Sequence, residues 1–248
     1  VPLSQHAGAP ARPVVRAGQE VLRGQLLAEP DGAMSVAMHA PASGRIAGIE
    51  LAPSISGRMQ PAIFLQPHPG STQEAIEGVP CDVERASREE ILRAIQWAGI
   101  VGLGGAAFPT HVKLAPPPGK PLDTLVINGV ECEPYLTTDH RVMLEQPQDV
   151  FQGIRYLLKV SGARRAVIGI EANKPDTAER LRAVRPAGLE VGIELLPVKY
   201  PQGAEKMLIK ALLGRKVPAG GLPSDVGVVT INVATCAEIG RLLPRGQG

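Results

Sequence analysis

Apolar and polar positions follow a regular alternation in the second half of the chain. Short apolar runs typical of buried strands occur at 125–127, 166–170, 191–196 and 226–231. Amphipathic stretches between them predict helices at 147–160, 175–184 and 204–213, and the stretch 135–145 is predicted to be a loop. Strands that alternate with helices favour a parallel sheet with helices on its faces. We therefore expect an α/β domain here.

The first 75 residues have a different pattern. They are rich in Gly, Pro and Ala, and turn residues separate short β-like runs at 13–15, 25–28, 45–49 and 63–65. The sequence of 15–29, followed by that of 39–50, resembles the barrel-sandwich hybrid of lipoyl and biotinyl carrier domains. Such carriers need a lysine at the hairpin tip, here 31–35, but the first lysine of the chain is Lys113. We therefore expect a structural or docking module without a carrier function.

Two helix starts carry the pattern of a capping box, in which a Ser or Thr precedes a Glu by three residues. Ser87 with Glu90 predicts a helix that runs to about residue 98, after a linker at 70–86. Its apolar positions are predicted to pack in the core: Ile91, Leu92, Ile95 and Trp97. Thr235 with Glu238 predicts a second start near the end of the chain. The boundary between the β module and the α/β domain is predicted between residues 76 and 77.

Composition narrows the possible functions. The net charge of +2 gives no reason to expect nucleic acid or membrane lipid as a partner, and no apolar run is long enough to span a membrane. The three cysteines form no CxxC pair and the five histidines show no metal-ligand spacing. We expect neither a metal nor an iron–sulfur site within these residues.

A glycine-rich loop is the first candidate binding element. Gly102, Gly104 and Gly105 precede Phe108, and a short helix predicted to begin near Pro109 carries Lys113. Glycines, a helix start and a lysine are typical of an anion site. A tight turn between two helices explains the same glycines equally well.

Polar residues after the predicted strands form the second candidate, because ligands bind at the carboxyl ends of parallel strands. Asn128, Glu131 and Glu133 follow the first predicted strand of this half. The loops after the later strands contain Tyr200, Gly203, Glu205, Asn232 and Thr235. Two of these residues have an alternative, purely structural role. Thr235 could cap the helix that follows it, and Glu205 could stabilise the positive end of its helix.

These motifs carry a family resemblance. The stretches that carry it are GIVGLGGAAFPTHVKL, LVINGVECEPYLTTDHRVMLE, IGIEANKPD, KYPQGAEKMLI and VPAGGLPSDVGVVTINVAT. Together they resemble the C subunit of the Rnf electron-transport complex over nearly the whole chain. They are also similar, more distantly, to the flavin- and NADH-binding subunit of respiratory NADH:quinone oxidoreductase.

The resemblance implies a flavoprotein fold and a set of cofactor-binding residues. It implies domains at 1–76 (barrel-sandwich hybrid) and 77–248 (FMN- and NADH-binding), with 4Fe-4S clusters in a C-terminal part that is absent from this chain. It assigns FMN or NADH contacts to Gly102, Gly104, Gly105, Phe108, Lys113, Asn128, Glu131, Glu133, Tyr200, Gly203, Glu205, Asn232 and Thr235. No residue is expected to act as a general acid or base, because the cofactor carries the chemistry.

The implied function is electron input into an ion-translocating membrane complex. NADH and FMN would exchange a hydride, and iron–sulfur clusters elsewhere would take up single electrons. The other subunits of the complex would be partners. The chain itself would lie peripherally on the cytoplasmic side of the bacterial inner membrane. The chain departs from the family pattern at Leu103, Val130, Ala204 and His140. Two alternatives stay open: the first three departures allow a docking scaffold that binds no flavin, and a related soluble flavoprotein of the corrinoid-reductase type would share both domains.

Overall fold

The computed structural model describes residues 1–54, 57–70, 74–115 and 119–248. Its contacts divide the chain into two compact units. The first unit comprises Val1–Val112 with Leu242–Gly248, and the second comprises Lys113–Arg241. The sequence boundary between residues 76 and 77 stays a prediction.

The first unit contains the small all-β module predicted for the N-terminal part. Its strands are β1 (Arg12–Pro13), β2 (Glu20–Val21), β3 (Leu26–Glu29), β4 (Met38–His39), β5 (Gly44–Pro53) and β6 (Met59–Pro67). They form two antiparallel three-stranded sheets, ordered β1-β3-β4 and β2-β5-β6. Leu27, Ile46 and Ile63 are fully buried between these sheets and belong to one core. Alternating burial along β5 and the apolar core of β3 explain why this segment folds as β structure.

The same unit contains α1 (Arg88–Trp97) and α2 (Thr110–Lys113), whose last residue opens the second unit. The capping box at the start of α1 is confirmed, because Ser87 Oγ accepts from Glu90 N and Glu90 accepts from Ser87 N. Ile91 and Ile95 are buried, but Trp97 is 41% exposed, so its predicted place in the core is wrong. Two residues correspond to about 200° around a helix, which turns Trp97 away from the buried face.

The second unit contains the predicted parallel sheet. Its strands are β7 (Thr124–Gly129), β8 (Arg165–Glu171), β9 (Val191–Leu196) and β10 (Val228–Asn232). They are ordered β10-β7-β8-β9, and all three pairings are parallel. Leu125, Ile127 and Ile168 are fully buried, as near-continuous apolar strands covered on both faces should be.

Helices cover this sheet. They are α3 (Thr138–Glu145), α4 (Pro147–Ser161), α5 (Pro175–Val184), α6 (Glu205–Leu213) and α7 (Val233–Leu242). The predictions of α4, α5 and α6 are confirmed within one residue. Gly162 and Gly214, both in the left-handed region, end α4 and α6.

Two local predictions in this unit are wrong, and both errors concern helix starts. The stretch predicted as a loop at 135–145 contains α3, because Glu131 accepts hydrogen bonds from the N–H groups of Asp139 and His140. The helix expected to start at Thr235 starts at Val233, because Asn232 Oδ1 accepts from Ala234 N and Thr235 N. A residue outside the expected motif supplies the helix cap in both cases.

Helices α4 and α7 cross at very close range. A Cβ atom on Gly153 would lie 1.9 Å from the carbonyl oxygen of Cys236. A Cβ atom on Gly240 would lie 1.9 Å from the carbonyl oxygen of Asp149. The crossing therefore requires glycine on both helices.

Among the described residues, no helix combines the length and the hydrophobicity needed to span a membrane.

Candidate functional site

The carboxyl edge of the parallel sheet brings two predicted asparagines side by side. Asn128 is the penultimate residue of β7, and Asn232 is the last residue of β10. The two are register partners in the parallel pairing. This is the position at which open α/β sheets bind ligands. The sequence prediction that residues after different strands share one edge is correct for this pair.

Asn128 fixes the loop between β9 and α6. Its Nδ2 donates to the carbonyl oxygen of Gly203 over 2.9 Å, and its Oδ1 accepts from Val130 N over 3.1 Å. Gly203 N in turn donates to the sulfur of Cys132 over 2.9 Å. A Cβ atom on Gly203 would lie 2.4 Å from the carbonyl oxygen of Val130, so the loop needs glycine at this point. The structure thus brings Asn128 and Gly203 into direct contact.

Lys113 and Glu205 are the second predicted pair that the structure brings together. Lys113 Nζ lies 2.5 Å from Glu205 Oε2, and each side chain is 35% exposed. Glu205 is the first residue of α6, where a carboxylate also complements the positive end of the helix. The lysine keeps further donor capacity, since an ammonium group carries three N–H bonds.

Asn232 links the start of α7 to α3. Its Oδ1 caps α7, where Thr235 is buried in the first turn, and its Nδ2 donates to Asp139 Oδ2 over 2.7 Å. Burial, reinforced by the nearby carboxylates of Glu131 and Glu133, raises the pKa of Asp139 to about 6. Asp139 was not predicted as a site residue, because its position was predicted to lie in a loop. An acidic residue in the first turn of a helix that follows a strand would have been the signal.

The remaining predicted residues of this edge differ in exposure. Glu131 is buried, caps α3 and pairs with Lys174 over 3.1 Å. Glu133 is exposed, and Tyr200 is 80% exposed. Their predicted contacts with a cofactor stay predictions, and Glu133 and Tyr200 are the two whose side chains face solvent.

The glycine loop lies in the first unit. A bridge between Val101 and Pro109 closes it, and Gly102 N donates to the carbonyl oxygen of Phe108 over 2.9 Å. Gly104 has φ +80, so the turn itself requires glycine there. A Cβ atom on Gly105 would meet nothing within 4 Å, and Phe108 is 38% exposed. The fold therefore explains Gly104 and leaves open space above Gly105.

Comparison with known families supports the assignment of both parts of the chain. Residues 1–69 match the model of the RnfC barrel-sandwich hybrid domain, and residues 95–241 match that of the Nuo51 FMN-binding domain. These matches confirm the predicted combination of a β module and a flavoprotein-like α/β domain.

Curated relatives cover almost the whole chain. The C subunit of the proton-translocating ferredoxin:NAD(+) oxidoreductase complex of Clostridium ljungdahlii is 46% identical over 99% of the chain. The corresponding subunit of the Na(+)-translocating complex of Acetobacterium woodii is 43% identical over 99%. The C subunit of the ion-translocating oxidoreductase complex of Pseudomonas aeruginosa is 44% identical over 96%. The chain spans 54%, 56% and 31% of the lengths of these relatives.

A solved structure supports the fold. The crystal structure of an NAD+-reducing NiFe-hydrogenase in the air-oxidized state matches 69% of this chain and 36% of the hydrogenase chain. The TM-score is 0.56 and the sequence identity is 22%. The relatives and the two domain models agree on one assignment. The chain belongs to the RnfC family, the C subunits of ion-translocating oxidoreductase complexes.

Proposed function

We propose that the chain is the FMN- and NADH-binding, electron-input part of an ion-translocating membrane oxidoreductase complex. The match of residues 95–241 to an FMN-binding domain carries the proposal, because this range contains every predicted site residue. The names of the relatives, which include ferredoxin:NAD(+) oxidoreductase complexes, support an exchange of electrons with a nicotinamide nucleotide. The iron–sulfur clusters and the other subunits of the complex lie outside these residues in this proposal.

The carboxyl edge offers groups that suit FMN. FMN combines an anionic phosphate with a planar ring that carries both hydrogen-bond donors and acceptors. Lys113 supplies a cation, and Tyr200 supplies an exposed aromatic ring. Gln202, in the loop that Asn128 fixes, is 1% exposed, and its Oε1 has no hydrogen-bond partner among the described residues. A buried acceptor without a donor is costly, and a donor from a bound ligand would relieve that cost.

Each residue of the edge has a proposed role that follows from its chemistry. Lys113 holds negative charge by a charge-assisted hydrogen bond. Glu133 accepts hydrogen bonds from the hydroxyl groups of the nicotinamide nucleotide. Asn128 and Gly203 preserve the shape of the edge. FMN, when bound, supplies the hydride exchange with NADH and the single-electron exchange with clusters. The FMN or NADH contacts of the glycine loop, which lies in the first unit, stay a prediction from the sequence.

An absorption spectrum tests the proposal directly. The purified chain is titrated with FMN under anaerobic conditions, and NADH is then added. We expect a bound flavin spectrum that bleaches on addition of NADH, and weaker binding of riboflavin, which lacks the phosphate. Absence of FMN binding would overturn the proposal and favour a docking scaffold. Binding without bleaching would overturn the nicotinamide part alone.

A further inference from the structure

Asp139 occupies a central position at the candidate site. It lies in the first turn of α3, and Asn232 Nδ2 donates to its Oδ2 over 2.7 Å. The other side-chain atom of Asn232, Oδ1, accepts from two N–H groups at the start of α7. Since Oδ1 receives two donors, the orientation of the amide is fixed by its contacts. Asp139 is therefore joined through one side chain to the turn that ends β10 and starts α7.

The surroundings of Asp139 are dominated by carboxylates. Glu131 and Glu133 lie on the segment after β7, and both disfavour a further negative charge on Asp139. Lys174, from the turn before α5, favours that charge, but it is already paired with Glu131 and Glu171. On α3 itself, the neighbouring His140 is paired with Asp176 of α5. Lys174 is thus shared between Glu131 and Glu171, and the hydrogen bond to Asp139 comes from Asn232.

We propose that the charge of Asp139 makes FMN binding at the sheet edge depend on pH. The inference rests on the proposed function, since it needs FMN as the ligand. An ionised Asp139 adds a negative charge at the edge where an anionic phosphate is to bind, and this weakens binding. A protonated Asp139 removes that repulsion while Asn232 keeps its cap on α7. Burial raises the pKa of Asp139 to about 6, so the group changes between these two states in the mildly acidic range.

The experiment compares the FMN dissociation constants of wild type and Asp139→Asn at about pH 5 and about pH 8. The asparagine keeps an oxygen that can accept from Asn232, so the link to α7 is preserved. FMN has a phosphate that itself titrates near pH 6, but this effect is common to both proteins and cancels in their ratio. We expect equal affinities at the lower pH. At the higher pH, we expect the variant to bind FMN roughly threefold to tenfold more tightly.

Two further variants separate charge from structure. Asp139→Glu keeps a carboxylate and should retain the pH dependence of wild type. Glu179→Gln removes an exposed carboxylate on α5 of the same unit, and its ratio to wild type should not change with pH. Circular dichroism of each variant shows whether it is folded at both pH values.

The outcomes distinguish the inference from the function on which it rests. A ratio that is the same at both pH values overturns the inference and leaves FMN binding intact. The same holds if Asp139→Glu behaves like Asp139→Asn. If wild type binds no FMN at either pH, the proposed function fails and the inference fails with it.

Discussion

Lys174 and Glu131 form a buried ion pair, with Nζ 3.1 Å from Oε2. Glu171 lies on the same ammonium group at 3.0 Å, and all three side chains are at most 9% exposed. Burial alone lowers the pKa of Lys174, but its hydrogen bonds to the two carboxylates outweigh this effect and raise it. Because Glu131 also caps α3, this pair ties the start of α3 to the turn before α5.

We expect Lys174→Met to destabilise the fold strongly. The substitution keeps the volume of the side chain but leaves two buried carboxylates without a cation. Breaking one side of a buried ion pair typically costs about 3–5 kcal/mol, which urea unfolding measures directly. The control is Arg141→Met, which removes an exposed pair with Glu145 and should cost less than about 1 kcal/mol. Equal stabilities of the two variants would contradict the role assigned to Lys174.

The raised pKa of Asp139 leads us to expect that the stability of the ligand-free chain depends on pH. Its pKa is raised in the folded state from 3.8 to about 6, so the folded protein binds this proton more tightly than the unfolded chain. The resulting stabilisation is complete below about pH 4 and is lost as the pH rises through about 6. It amounts to about 2–3 kcal/mol.

The comparison of wild type with Asp139→Asn isolates this contribution. The free energy of unfolding of the variant, relative to wild type, should increase between about pH 4 and about pH 7. Urea unfolding at several pH values provides the measurement. A difference between the two proteins that stays constant over this range would refute the assignment.

Much of the fold could be predicted because its signals are local. The strands and helices from 147 onward follow from apolar runs and from glycines at helix ends, which depend on neighbouring residues only. The start of α3 could not be predicted, because its cap comes from Glu131, eight residues before Asp139. The contribution of Asn232 to α7 was missed because the Thr235–Glu238 pattern suggested a cap of its own.

The position of the candidate site at one edge of the sheet could be predicted, but the contacts between its residues could not. The polar residues after the strands predicted a shared edge of the sheet, and Asn128 and Asn232 lie there as register partners. The pairs that shape the edge join residues far apart in sequence, with a separation of 75 positions for Asn128 and Gly203 and of 92 for Lys113 and Glu205. Such contacts depend on how the strands are ordered in the sheet. The contact of Asp139 with Asn232, 93 positions away, depends on the same strand order.

The crossing of α4 and α7 predicts a strong effect of a single methyl group. Gly153→Ala would place Cβ 1.9 Å from the backbone oxygen of Cys236, so the two helices must move apart. We expect a loss of about 1–3 kcal/mol or more, measured by urea unfolding. Gly105→Ala is the matched control, because its Cβ would meet nothing within 4 Å. A smaller loss for Gly153→Ala than for Gly105→Ala would show that the helices do not cross as described.

Lys113 should contribute to FMN affinity more than any other lysine of its unit. Its pair with Glu205 holds the ammonium beside the start of α6, where the side chain is 35% exposed. Removal of a charge-assisted hydrogen bond typically costs about 1.5–3 kcal/mol, so Lys113→Ala should weaken FMN binding roughly tenfold or more. Fluorescence titration with FMN measures this change. Lys210→Ala removes an exposed lysine from α6 and should leave the affinity within about twofold of wild type. Similar losses in both variants would indicate a general effect of net charge, and unchanged affinity in Lys113→Ala would remove this lysine from the site.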